Sequence, residues 1–189
     1  MSADERERLA PEVLLEALLF AAPQPFTVEA LATAAELSTE ETQSGLARLE
    51  GQLASRGLRL QQHRGRVQLT SAPAAAPYIE RLLGLEVNLR FTQAAMETLA
   101  IVAYAQPITR PQIESIRGVN SDSTLRTLLS AGLVEETGRA ETVGRPILYG
   151  TTFEFLQQFG LQRVEELPQL ESTAASTPEA PAIPPSKEG

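Results

Sequence analysis

The chain has no cysteine and a single histidine, His63, among its 189 residues. Disulfides and thiolate metal sites are excluded, and no His/Cys cluster exists to hold zinc or haem. No D-x-D-x-D-G loop offers a carboxylate calcium site either. A Ser-His-Asp arrangement would need His63, which falls in a predicted hairpin turn between Gln62 and Arg64, and no G-x-S-x-G stretch accompanies it. The histidine therefore reads as a turn-exposed side chain. The glycines are scattered at helix ends, so no phosphate-cradling loop is present. Tryptophan is absent, and Tyr104, Tyr149, Phe153 and Phe159 fall on apolar stripes without interleaved basic residues. They read as core rather than as stacking platforms for bases.

Two further absences bound the function. No apolar run approaches the roughly 20 residues of a membrane span, and the opening MSADERERLAPE is acidic rather than basic then apolar. A cytoplasmic protein is expected. Positive charge is scarce everywhere: 8 basic against 11 acidic residues in 1–84, 7 against 10 in 85–168, and 1 against 3 in 169–189. A protein that holds DNA by neutralising phosphates wants a basic face, and no segment supplies one.

What is present is clearest from Phe91 to Leu161. Thr92 caps a helix whose Ala95, Met96, Leu99, Val102 and Ala103 recur at helical spacing, and Pro107 ends it. T-R-P-Q at Thr109–Gln112 opens a short second helix with Ile113 and Ile116 inward and Gly118 at its end. The polar cluster Asn120–Ser123 starts a third, through Leu125, Leu128 and Leu129 to Gly132. Leu133–Val134 and Ile147–Tyr149 then read as two strands around a loop at 138–146, and T-T-F-E at Thr151 opens a last helix carrying Phe153, Leu156 and Phe159. Three helices, a hairpin and a helix read as a winged helix.

The first half repeats that order. Pro11–Ala22 is a helix apolar on two sides, which leaves part of it for another chain. Thr27 caps a short helix, Ser38–Glu41 is a capping box for a third, and Leu58–Gln62 with Val67–Thr70 make a hairpin, followed by a helix carrying Tyr78, Ile79, Leu82 and Leu83. The expected fold is α+β, mostly α: two tandem winged-helix domains, each three helices plus a β-hairpin wing and a further short helix. The expected divisions are a flexible N-terminus at 1–10, domains at 11–84 and 91–167, a linker at 85–90, and a disordered C-terminal tail at 168–189, rich in Pro, Ser, Thr, Ala and Glu.

The elements ETLAIVAY, QPITRPQIESIRGVNSDSTLRTLL, GLVEETGR and GRPILYGTTFEFLQQFGL, in this order and spacing, closely resemble the segregation and condensation protein B family. They cover about half the chain; Val13–Leu83 fits the family in layout more than in sequence, and the tail carries no such signal. The resemblance implies a non-enzymatic protein without cofactors. It would form a homodimer through its N-terminal domains, bind the kleisin ScpA and, through it, an SMC ATPase. It would act on chromosomes as a nucleoid-associated factor in condensation and segregation during cell division. The reading from a different class is a dimeric winged-helix transcriptional regulator. Against it, the third helix STLRTLLSAG presents Arg126 as its one cation, with Asp122 near its start repelling phosphate.

Candidate dimer contacts are Leu14, Leu15, Leu18 and Leu19 on the first helix. Candidate kleisin contacts are Arg117, Arg126, Arg145 and Tyr149. Capping accounts for Gly118, Asn120, Ser121 and Asp122 without a ligand, whereas Arg117 has no capping role. At Gly144-Arg145-Pro146 a tight turn, with Arg145 paired to Glu135 or Glu141, is favoured over a phosphate contact in so acidic a domain.

Overall fold

The computed structural model describes residues 9–84 and 91–169. The expected N-terminal flexibility over 1–8, the linker 85–90 and the tail from 170 lie outside the described residues. The first unit runs α1 (Pro11–Ala21), β1 (Phe26–Thr27), α2 (Val28–Ala35), α3 (Thr39–Leu53), β2 (Leu58–His63), β3 (Arg66–Ser71) and α4 (Ala76–Leu83). The second runs α5 (Gln93–Ala105), β4 (Ile108–Thr109), α6 (Arg110–Arg117), α7 (Asp122–Ser130), β5 (Val134–Arg139), β6 (Ile147–Thr151) and α8 (Phe153–Phe159). Each unit is a winged helix, with three helices packed on a three-stranded antiparallel sheet ordered β1-β3-β2 or β4-β6-β5.

The strands β1 and β4 were not legible in sequence. Each is two residues long, and each ends on a threonine that also begins a helix. Thr27 pairs with Arg66 of β3, and its Oγ1 accepts from Ala30 N–H at 3.2 Å to cap α2. Thr109 pairs with Leu148 of β6, while its backbone N–H donates to Gln112 Oε1 at 2.9 Å. A capping side chain satisfies a helix-end donor that would otherwise be left to water. Ser38 does the same for α3: its Oγ accepts from Glu41 N–H at 3.1 Å, and its own N–H donates to Glu41 Oε2 at 2.9 Å. The cap of α8 is Thr152 rather than Thr151, with Oγ1 accepting from Phe155 N–H at 3.1 Å.

Each unit has its own core. Leu15, Leu49, Leu53, Leu60 and Val67 are at most 1% exposed in the first; Leu99, Val102, Ile113, Leu128 and Leu156 are likewise buried in the second. Each such side chain contributes about 1.5–3 kcal/mol by leaving water. In α3, Gly45 lets α1 approach closely: a Cβ there would stand 2.7 Å from Leu15 Cδ1 and 3.3 Å from Pro11 Cβ.

Several expectations shift once packing is visible. Ile116 and Met96 point outward, 61% and 40% exposed, because each unit's narrow sheet covers fewer helix faces than the apolar spacing offers. Tyr78, Leu82 and Leu83 of α4 are exposed as well. Tyr104 and Phe159, expected in the core, are 40% and 43% exposed. Tyr104 Oη donates to the Pro168 carbonyl at 2.8 Å, and the Phe159 ring leans on Phe155 at 4.8 Å between centroids.

Candidate interaction surfaces

The first surface lies on α1. Leu15 and Leu19, two of the four candidate dimer residues, are 0% and 4% exposed in the unit's own core, and Leu14 and Leu18 are half-buried. The outward apolar side chains are instead Leu9, Val13 and Phe20, 55%, 43% and 81% exposed. Val13 and Phe20, with Glu16 and Ala17, edge a shallow groove whose far wall is Leu58 and Leu69 of the adjoining hairpin. The composition of α1 signalled a second apolar side; choosing which leucines face inward needed the position of α3.

The second unit scatters its candidate residues. Tyr149 faces the core from β6, 9% exposed, and burial first, then Glu136, raises its phenol above the usual value. Arg117 is not a free cation. Its side chain is 8% exposed, Nη1 donates to Ser121 Oγ at 2.9 Å and Nη2 lies 3.5 Å from Glu97 Oε2, so it ties the end of α6 to α5 and to the α7 cap. Arg126 is exposed but 2.9 Å from Asp122 Oδ2, and Arg110 reaches the same carboxylate at 2.9 Å. Arg145 sits exposed in the β5–β6 loop with φ 41°, its N–H donating to the Thr142 carbonyl. Among the described residues it has no carboxylate partner; of the two expected, Glu135 pairs with Arg64 and Glu141 forms no ion pair with it. Thus Arg126 and Arg145 are accessible, while Tyr149 and Arg117 are parts of the scaffold. A stripe the charge pattern did not flag, Met96, Ala100 and Tyr104, runs along the exposed face of α5, and Ile116 and Val119 stand out from the end of α6.

Between the units lies a polar junction. The side chains of Gln61 and His63 leave the outer face of β2 and are 1% and 7% exposed, which corrects the turn-exposed reading of His63. Gln61 Nε2 donates to the Leu161 carbonyl at 2.7 Å, Gln62 N–H to the Gln162 carbonyl at 2.9 Å, and His63 Nε2–H to the Thr151 carbonyl at 2.7 Å. Arg64, at the hairpin tip with φ 48°, donates to Glu135 Oε1 at 2.7 Å and Gln106 Oε1 at 3.2 Å, and Arg163 pairs with Glu50. A buried polar group must find partners or lose about 1–3 kcal/mol, and here the partners come from the other unit. Sequence reading missed this because Gln-Gln-His in a strand looks like a solvated face. Among the described residues no group of three His, Cys, Asp or Glu could hold a metal ion. No described helix is long and apolar enough to cross a membrane.

The family model of the segregation and condensation complex subunit ScpB matches residues 13–170. The chain belongs to this family. It is 50% identical to segregation and condensation protein B of Desulforamulus reducens over 159 residues, 83% of this chain and 87% of that one. It is 47% identical to the same protein of Carboxydothermus hydrogenoformans over 161 residues, 84% and 86% of the two chains. Among solved structures, ScpB from Mycobacterium tuberculosis shares 37% identity across 80% of this chain and 95% of that one, with a TM-score of 0.39. A dimer of a ScpB N-terminal domain complexed with ScpA peptide shares 28% identity across 38% of this chain and 91% of that one, with a TM-score of 0.36. But for Pro11 and Glu12 at the start of α1, both units fall inside the stretch matched to the ScpB family. The first half, weaker in the motifs read from sequence, is therefore no less part of it.

Proposed function

We propose that this ScpB-family protein is a non-enzymatic subunit of a bacterial SMC complex, a homodimer that holds the kleisin ScpA and so takes part in chromosome condensation and segregation in the nucleoid. The observation that carries this reading is family membership over residues 13–170, in which both winged-helix units take part. The surfaces support it. Phe20, Val13 and Leu9 give the first unit an apolar face suited to self-association, with Leu14 and Leu18 at its margin. Met96, Ala100 and Tyr104 give the second unit an exposed apolar stripe suited to an amphipathic segment of the kleisin, and Arg126 and Arg145 are the accessible cations of the same unit. On this reading 11–84 is the dimerising domain and 91–167 the kleisin-contacting one. The SMC ATPase is reached through the kleisin.

The alternative, a DNA-binding regulator, meets an α7 whose Arg126 charge is held by Asp122. Light scattering tests the reading directly. Full-length protein should run as a dimer of twice 20.4 kDa and gain mass as a stable complex with the kleisin of the same genome. A monomer that ignores the kleisin, combined with specific nanomolar DNA binding that weakens steeply with salt, would establish the regulator instead.

A further inference from the structure

The β2–β3 turn places one titratable ring inside the junction between the units. Beyond its bond to Thr151, the His63 ring meets Phe153 edge-on, 5.5 Å between centroids. Two cavities border it, one lined also by Pro25, Gln68 and Phe153, the other by Gln106, Pro107 and Val164. The charged groups that face it are Arg64 and Arg66 on its own hairpin, Glu135 and Glu136 on β5, Glu154 on α8 and Glu165 beyond α8. Glu135 is already engaged by Arg64. A neutral imidazole with its proton on Nε2 fits this setting. An imidazolium would place a second cation beside Arg64 and surrender most of its hydration.

The other hydrogen bonds and ion pairs across the junction run from Gln61 to Leu161, Gln62 to Gln162, Arg64 to Glu135 and Gln106, and Arg163 to Glu50, beside an apolar approach of Pro73 to Gly160. Water can replace each of these bonds when the units part, and neither core is opened by the separation.

We propose that this junction is an acid-released latch: protonation of His63 frees the second unit from the first, so that one chain passes between a joined and a parted form. Burial holds the ring below its ordinary value of 6.5, Arg64 adds to this, and the Thr151 carbonyl, Glu135 and Glu165 oppose it. The parted form therefore takes up the proton first as pH falls below 6.5. The joined form loses ground from there down to the lower value set by the junction, and loses no more below it.

The absence of native cysteine lets a reporter pair be placed cleanly on the full chain. Ser44→Cys on α3 and Ser130→Cys on α7, both exposed, take donor and acceptor dyes, and dilution into unlabelled chain restricts energy transfer to within one molecule. Between about pH 7.5 and pH 5.5 the ratio of parted to joined form should rise, by at most about tenfold per pH unit. His63→Gln, whose amide still donates to Thr151 but does not titrate, should hold one transfer efficiency throughout. Flat transfer with histidine present, or an equal change in the glutamine variant, overturns the latch. Should the glutamine variant not fold, amide exchange on the unaltered chain decides. The Gln62 N–H should lose protection with acid while the Leu49 N–H in α3 keeps it; unchanged protection at Gln62 overturns the proposal.

Discussion

The Arg64 guanidinium lies against the backbone of Gly150, where a Cβ would stand 2.8 Å from Arg64 Cζ and 2.8 Å from Gln106 Oε1. Glycine at this position is therefore about close approach between units rather than backbone freedom. Gly150→Ala is expected to push aside the flexible end of Arg64, weakening its bonds to Glu135 and Gln106 at a cost of about 1 kcal/mol. In an Arg64→Ala background the same change should cost appreciably less. A double-mutant cycle from urea unfolding measures the coupling; additive effects would contradict it.

Two glycines of α3 should answer alanine with opposite signs. Gly45→Ala drives a methyl to within 2.7 Å of Leu15 Cδ1, a residue with no exposure, and overpacking of this kind costs about 1–3 kcal/mol. Gly51 is exposed with nothing within 4 Å of a new Cβ, so Gly51→Ala should stabilise by about 0.5–1 kcal/mol through helix propensity alone. Thermal melts of the two variants, one lower and one higher than the parent, check both.

Arg117→Glu should be strongly destabilising, by about 3–5 kcal/mol, because it places a carboxylate in a site 8% exposed beside Glu97. Arg145→Glu, at an exposed loop tip, should leave the melting temperature within error. If both variants melt with the parent, Arg117 is not the structural tie described here.

Phe20→Glu tests the α1 face. With the side chain 81% exposed, folding should be little affected, whereas self-association through this face should weaken at least tenfold. Sedimentation of parent and variant over a concentration series measures it. An unchanged dissociation constant would move the dimer contact elsewhere.

Acid should act on the helix starts. Glu41 titrates below its ordinary 4.5, chiefly through the Ser38 N–H, and Glu12 likewise, through backbone N–H groups and then Arg48. Their contributions are complete above 4.5 and disappear as pH drops through the lowered values. Glu41→Gln should therefore flatten part of the acid limb of stability between about pH 5 and pH 3, read by melts at stepped pH.

The winged-helix plan was legible because its signals are local. Ser38 with Glu41, Thr109 with Gln112 and Gly118 at a helix end each announce an element within a few residues. The two-residue strands β1 and β4 carry no periodicity and exist only because β3 and β6 offer edges. The candidate sites fared differently because charge and apolarity in sequence do not say which way a side chain faces. Arg117 looked available for lack of a cap to make, yet Glu97, twenty positions earlier, and Ser121 claim it. Leu15 and Phe20 lie on one helix, and only the packing of α3 separates core from surface.

Topological likeness does not make the two halves interchangeable. The first hairpin ends its turn on the second unit through His63 and Arg64, whereas the second ends in open solvent at Val143 and Arg145. A chimera that replaced the second unit by another copy of the first would keep the fold of each part and lose the seat for that turn: Thr151, Gln106 and Glu135 would all be missing. Its Gln61 and His63 would then meet water, and the chain would become two beads on a string.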